Sequence, residues 1–156
     1  MKVTILAIGK TEEAYLQQGE AIYLQRLKHY VPLEYKVLPA LKKPKGLSKD
    51  QIKTEEGKLL MAQLQTSDHV VLLDELGKEY NSPRFADFLQ KQMNAGHRNL
   101  VFIIGGPFGF SAEVYQRANG KVALSQMTFS HQMVRLFFVE QLYRGFSILR
   151  GEKYHH

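Results

Sequence analysis

Three groups of residues in this chain combine types and spacing suited to chemistry. The first is Gly105-Gly-Pro-Phe-Gly109, which follows the apolar run Leu100-Val-Phe-Ile-Ile104. Glycine lacks a Cβ, so a ligand can approach the backbone amides of such a loop closely. The same residues suit a plain tight turn with positive φ, and the pattern alone leaves both readings open. The second group is Leu124-Ser-Gln-Met-Thr-Phe129. Its backbone can hydrogen-bond the edge of a purine, with Leu124, Met127 and Phe129 as apolar walls. The alternative is an approach to a helix capped by Ser130. The third group is Arg144, Arg150, Lys153, Tyr154 and His155. The cations can hold phosphates, the ring can stack on an exposed base, and the imidazole can move a proton near neutral pH. An ordinary terminus, by contrast, is frayed and inert.

Other chemistries find no support. The chain has no cysteine, which removes disulfides, thiolate metal sites and cysteine nucleophiles together. His29, His69, His97 and His131 stand singly, without metal-ligand spacing, so no metal is expected. The dinucleotide fingerprint, the P-loop and the G-x-S-x-G elbow are all absent.

The 156 residues fit a single domain, 1–156, large enough to bury about two thirds of its unfolded surface. Apolar residues make up 44% and charged residues 23%, the balance of a folded protein rather than a disordered one. No apolar run approaches the length of a membrane span. Met1-Lys-Val-Thr-Ile-Leu-Ala-Ile8 reads as a first strand rather than a signal peptide, so a cytoplasmic protein is expected. The net charge of +6 tilts the expectation towards a polyanionic partner.

The elements that must position the three groups alternate between strand and helix. Strands are expected at 2–8, 33–38, 69–73, 100–104 and near 121–124. Thr11 is the expected cap of a helix running to about Tyr30, with Leu16, Tyr23, Leu27 and Tyr30 as its apolar stripe. Ala40–Leu47 reads as an exposed loop. Ser48-Lys-Asp-Gln51 is a capping box opening a helix to about Gln65. Ser82-Pro83 supplies a cap and a first-turn proline for a third helix, which Gly96 ends. A short helix covers about 111–118, and the last helix covers 131–149. Lys42, Lys43, Lys45, Lys49 and Lys53 read as a solvated face that also offers contacts to RNA.

Strands separated by helices predict an α/β fold, a mostly parallel sheet with helices on both faces. Ligands of such sheets bind beyond the carboxyl ends of the strands. Leu73, Gly105 and Leu124 all stand at those ends, which gathers three separate segments around one crevice. In the last helix Val134, Phe138, Leu142, Phe146 and Leu149 form one stripe, while Met133, Leu136, Phe137 and Tyr143 lie off it. A helix apolar on more than one side is buried on more than one side. A homodimer interface satisfies that requirement, and so does a central position in a monomer core.

Taken in order, Gly105-Gly-Pro-x-Gly109, Ala123-Leu-Ser-x-Met-Thr-Phe129, His131-Gln-Met-Val-Arg135, Glu140-Gln-Leu-Tyr-Arg144 and Tyr154-His155 resemble one family. It is the bacterial large-subunit (23S) rRNA pseudouridine-N3 methyltransferase family of the SPOUT class. The opening Met1–Lys10 matches too, so the resemblance spans the chain. It implies a trefoil-knotted α/β fold, a homodimer, and S-adenosylmethionine as methyl donor. It also implies a pseudouridine of large-subunit rRNA on the assembled ribosome as substrate. The cofactor's adenosine would lie among Leu73, Gly105 and Leu124, Ser125, Gln126, Met127, Thr128 and Phe129. Arg144, Tyr154 and His155 are the expected catalytic residues, with Arg144 positioning the phosphate or base and Tyr154 or His155 assisting removal of the N3 proton. Two rival functions remain: a non-catalytic RNA-binding or ribosome-assembly protein, and a nucleotide-dependent enzyme acting on a small molecule through the glycine loop.

Overall fold

The computed structural model describes residues 1–41 and 45–156. Lys42, Lys43 and part of the expected 40–47 loop lie outside the described residues. The elements are β1 (Lys2–Ile8), α1 (Ala14–Leu27), β2 (Leu33–Leu38), α2 (Lys49–Met61), β3 (His69–Glu79), α3 (Ser82–Asn94), β4 (Asn99–Ile104), α4 (Ala112–Arg117), β5 (Gly120–Ala123) and α5 (Met133–Leu149), followed by a 3₁₀ turn at Lys153–His155. The strands form one sheet in the order β2-β1-β4-β3-β5, and every pairing is parallel.

Period-two alternation divides the strand residues between two apolar layers. Val3, Ile5, Ala7, Val71, Leu100, Phe102 and Ile104 face α1, α3 and α5, packing with Leu27, Phe85, Leu89, Phe138, Leu142 and Phe146. Leu6, Ile8, Val70, Leu72, Val101 and Ile103 face α2 and α4, packing with Leu60 and Val114. With both faces covered, the strands read as continuous apolar runs. This is the α/β architecture the pattern predicted.

Local capping corrects several boundaries. Thr11 does not cap α1. The cap is Glu13, without a side-chain hydrogen bond, because the Thr11 hydroxyl is buried and donates to Glu20 at 3.1 Å. Asn81 rather than Ser82 caps α3, its side chain accepting from the Arg84 amide. The capping box at Ser48 and Gln51 forms as expected. Gly96 takes a φ of +77° just after α3.

The largest departure is in β3. It does not stop at Leu73 but continues to Glu79, with a register shift against β5 between Leu73 and Lys78. Apolar alternation ends at Leu73, yet backbone pairing resumes where Gly77 lies against Val122. A Cβ at Gly77 would come within 2.6 Å of the Val122 backbone. Only glycine allows the two strands to close at this point, and the irregular stretch pushes Asp74 and Glu75 out beside the strand ends.

A buried arginine locks the carboxyl end of β1. Arg135 is fully buried and donates to Gly9 O at 2.5 Å, Ile8 O at 2.7 Å, Thr11 Oγ1 at 3.3 Å and, from its own helix, His131 O at 3.2 Å. Its charge is balanced through Thr11, whose hydroxyl reaches the buried Glu20 carboxylate; Tyr35 donates to that same carboxylate oxygen at 2.7 Å.

Among the described residues no helix is long and apolar enough to cross a membrane.

Candidate active site

The carboxyl ends of β3, β4 and β5 open onto a cavity of about 610 Å³. Its walls include Leu73, Ile104, Gly105, Gly106, Leu124, Ser125, Met127, Thr128, Phe129, His131 and Val134. The crevice expected from the strand ends is therefore present as an open cleft, and it unites Leu73, Gly105 and most of the 124–129 loop. Gln126 is the exception: it is exposed and does not line the cavity.

The glycine loop is built by contacts from beneath. A Cβ at Gly105 would meet the Phe110 ring at 2.9 Å, and one at Gly106 would meet the Glu56 carboxylate at 2.7 Å. Glu56 is buried under the loop, and burial raises its carboxyl above the ordinary value. Gly109 has a φ of +84°, and its amide closes a turn onto Gly106 O at 3.2 Å. The loop is thus a tight turn and also the edge of a cavity, which joins the two readings its residues allowed.

The 124–129 loop offers polar backbone to a ligand. From Gln126 to Phe129 no amide or carbonyl makes a backbone–backbone hydrogen bond among the described residues. The Ser125 hydroxyl accepts from the Met127 amide at 3.0 Å, and Thr128 donates to Glu75 at 3.2 Å, which ties the loop to β3. The Ser130 side chain accepts from the Gln132 amide, but the N-cap of α5 is Gln132, which makes no side-chain cap bond, and not the expected Ser130. Free backbone donors and acceptors beside apolar walls suit the edge and faces of a heteroaromatic base. The volume is in the range of cofactor sites.

Several wall residues lie outside the expected site residues. Asp74 accepts from the Tyr115 hydroxyl at the rim, which raises the Tyr115 pKa further after the larger effect of burial. Lys53 reaches the cavity from α2, and Phe108 from the glycine loop. His131 is held below its ordinary pKa by burial and by Arg135. Only the glycine at 77 signalled the β3 extension that brings Asp74 to the rim.

The tail is ordered, not frayed. Tyr154 donates to Glu140 Oε1 at 2.8 Å and lies 3.1 Å from the Tyr23 hydroxyl. Arg144 donates to the same Glu140 oxygen at 2.5 Å, stands 4.7 Å over the Tyr154 ring and meets His155 Nδ1 at 3.2 Å. Burial first, then the bonds to Tyr23 and Glu140, raises the Tyr154 hydroxyl well above its ordinary pKa. Arg144, Tyr154 and His155 thus form one cluster, with Glu140 as an organiser that sequence reading left out. The i, i+4 spacing of Glu140 and Arg144 was its available signal.

Cavity and tail are separate within one protomer. None of Arg144, Tyr154 and His155 lines the cavity, whose wall uses only the start of α5 at Val134. Arg144 lies about 15 Å further along that helix.

A parallel α/β sheet with a glycine-edged cavity at its strand ends defines a protein of the α/β class with the ligand-binding geometry typical of such sheets. A family model described as "Predicted SPOUT methyltransferase" matches residues 1–155. The chain belongs to the SPOUT methyltransferase family, an assignment consistent with a trefoil-knotted fold, and methyltransferases of this family generally use S-adenosylmethionine. It is similar to proteins named "Ribosomal RNA large subunit methyltransferase H". The one from Cytophaga hutchinsonii is 57% identical, with all of both chains covered. Those from Christiangramia forsetii and Bacteroides thetaiotaomicron are 53% and 51% identical over all of this chain and 99% of theirs.

Proposed function

We propose that this protein transfers a methyl group from S-adenosylmethionine to N3 of a pseudouridine in large-subunit rRNA, on the assembled ribosome. The observation that carries this reading is the single cavity joining Leu73, Gly105 and the 124–129 loop in a chain aligned end to end with proteins named as rRNA methyltransferases. The residues fit the cofactor. Apolar side chains would flank the adenine, and backbone groups between Gln126 and Phe129, other than the Met127 amide that Ser125 holds, would meet its edge.

When bound, S-adenosylmethionine supplies an electrophilic methyl carbon on a sulfonium. The protein's task is then to align the base nitrogen in line with it and to favour loss of the N3 proton. The Tyr154 hydroxyl gives its one proton to Glu140, so Tyr154 holds the tail in place rather than acting as a base. Arg144 has only donors, so His155 Nδ1 accepts from it and the imidazole proton stands on Nε2. His155 therefore presents an N–H to the oxygen on which negative charge grows as N3 ionises. Arg144 adds a fixed positive charge beside it. In this reading the site follows the chemistry of anion stabilisation.

The separation of cavity and tail supports a two-fold dimer in which one protomer's tail reaches its partner's cavity. Phe137 and Met133 of α5 are exposed by 43% and 39%, and Phe129 packs on Phe137 with ring centroids 5.4 Å apart. A second apolar groove lined by Tyr80, Phe85, Phe129 and Phe137 continues from the cavity through Val122 and Leu124. The rest of α5 is covered by its own chain: Leu136 sits on Gly19 of α1, and Tyr143 packs against Tyr23, Tyr30 and Tyr154. Dimerisation is thereby assigned to Met133 and Phe137 rather than to the whole helix.

The test is incubation of unmodified ribosomes with labelled cofactor, followed by mass mapping of the rRNA. Label on a large-subunit pseudouridine is expected. Label on no RNA, or on an unrelated substrate, overturns the reading. Mixing a cofactor-loop variant with a tail variant is expected to restore activity through hybrid dimers; no restoration rejects the shared site.

A further inference from the structure

The rim of the cavity carries charged and aromatic side chains that the proposed transfer does not use, and their contacts sort them into two groups. One group is acidic and internally satisfied: Asp74 holds the Tyr115 hydroxyl and the Leu76 amide, and Glu75 holds Thr128. Lys121 lies 5.5 Å over the Tyr115 ring within this group. The other is basic. Phe108 is 41% exposed at the tip of the glycine loop, and the Lys49 ammonium stands 5.6 Å over its ring. Lys53, one turn further along α2, reaches the cavity wall and pairs at 3.2 Å with Asp50, whose side chain is 91% exposed. Lys49 makes no ion pair among the described residues.

We propose that Phe108, Lys49 and Lys53 form a platform for the RNA nucleotide next to the modified one, Phe108 stacking on its base and the two lysines holding its phosphates. This rests on the methyltransferase reading. A flat exposed ring with an ammonium over it, and a second ammonium one turn along the same helix, matches a nucleotide's flat base and charged backbone. Glycine on both sides of Pro107-Phe108 leaves the ring without close neighbours on its loop. Position supplies the occupant: a strand delivering one base into the cavity must carry its neighbours across this rim. Phosphate is repelled by the Asp74 and Glu75 side and drawn to the α2 side, so the strand has a preferred direction of passage.

The experiment measures three quantities on the full-length protein: retention of a labelled large-subunit rRNA hairpin on filters, cofactor affinity by calorimetry without RNA, and methyl transfer to unmodified ribosomes. Phe108→Leu keeps an apolar wall while removing the stacking face, and is expected to weaken hairpin retention about fivefold or more. Phe108→Tyr is expected to retain wild-type binding. Lys49→Met is expected to weaken retention and to make the logarithmic salt slope shallower by about 0.7. Cofactor affinity stays within about twofold in Lys49→Met, whose side chain is not on the cavity wall; Phe108 lines that wall, so hairpin retention by its two variants is measured with the cofactor saturating. Hairpin binding unchanged in Phe108→Leu and Lys49→Met overturns the platform. Equal retention by wild type and variants with no methyl transfer by either would sink the platform and the methyltransferase reading together. A wild-type protein that methylates while the variants bind RNA normally removes the platform alone.

Discussion

Tyr154 and Arg144 share one carboxylate oxygen of Glu140, the tyrosine at 2.8 Å and the arginine at 2.5 Å. A residue from the chain's last turn is thereby fastened to the middle of α5, and the His155 ring is held where Arg144 can reach it. Charge-assisted bonds of this kind are shorter and stronger than neutral ones, which explains an ordered tail on a surface where chain ends usually fray.

Glu140→Gln keeps the shape and removes the charge. Methylation is expected to fall about 10- to 100-fold through kcat, with cofactor affinity unchanged, because only the tail's alignment is lost. Limited proteolysis near Gly151 should quicken in parallel. Normal kcat in a variant with a loosened tail would separate the tail from catalysis.

Arg135→Met is expected to destabilise the fold by about 3–5 kcal/mol in urea unfolding, since the Ile8 and Gly9 carbonyls and the buried Glu20 carboxylate all lose their counterpart. The conservative change Arg135→Lys is expected to recover little of that loss, because a single ammonium cannot replace a planar fork that serves β1, Thr11 and His131 together. A loss below about 1 kcal/mol for Arg135→Met would contradict the clamp at the end of β1.

Gly77→Ala adds a methyl 2.6 Å from backbone atoms of Val122, which cannot swing aside as a side chain could. Separation of β3 from β5 at that point is expected to cost about 1–3 kcal/mol and to move Asp74 and Glu75 at the cavity rim. Unfolding midpoints and cofactor affinity should therefore decline together. Unchanged values in both would mean that β3 does not close on β5 as described.

Burial raises the Glu56 carboxyl from its ordinary 4.5, and the sign of the pH effect follows. The folded state favours the neutral acid, so this group's contribution is fully present below about pH 4.5 and is lost as pH rises through the higher folded value. Glu56→Gln abolishes that loss. The variant is expected to unfold at a higher temperature than wild type at about pH 8, with the gap closing towards about pH 4. A gap independent of pH would show that Glu56 is not the titrating group.

How much of this was legible in the sequence depends on the range of the contacts involved. The strands followed from short continuous apolar runs bounded by polar and turn residues, and their carboxyl ends then placed Leu73, Gly105 and Leu124 together without any tertiary information. Capping at Ser48 was equally local. Thr11 misled because its hydroxyl serves Glu20 and Arg135, partners brought close only by folding. The β3 extension was hidden because its pairing rests on backbone fit at Gly77 instead of apolar side chains. Arg135 carried no structural role in the sequence, since nothing within one turn of it reveals Ile8 and Gly9. Glu140 was readable from spacing alone, but its second partner, Tyr154, required the chain to turn back.

The Arg135 clamp also has a temporal meaning. The Ile8 carbonyl receives its partner from a residue 127 positions later. As the chain emerges amino terminus first, β1 can pair with β2 early, yet its carboxyl end stays uncapped until α5 has been made. The wall segment at His131 is fixed by the same guanidinium. Contacts of such long sequence separation form late and slow folding. The cavity wall at His131 is accordingly completed only when α5 is in place.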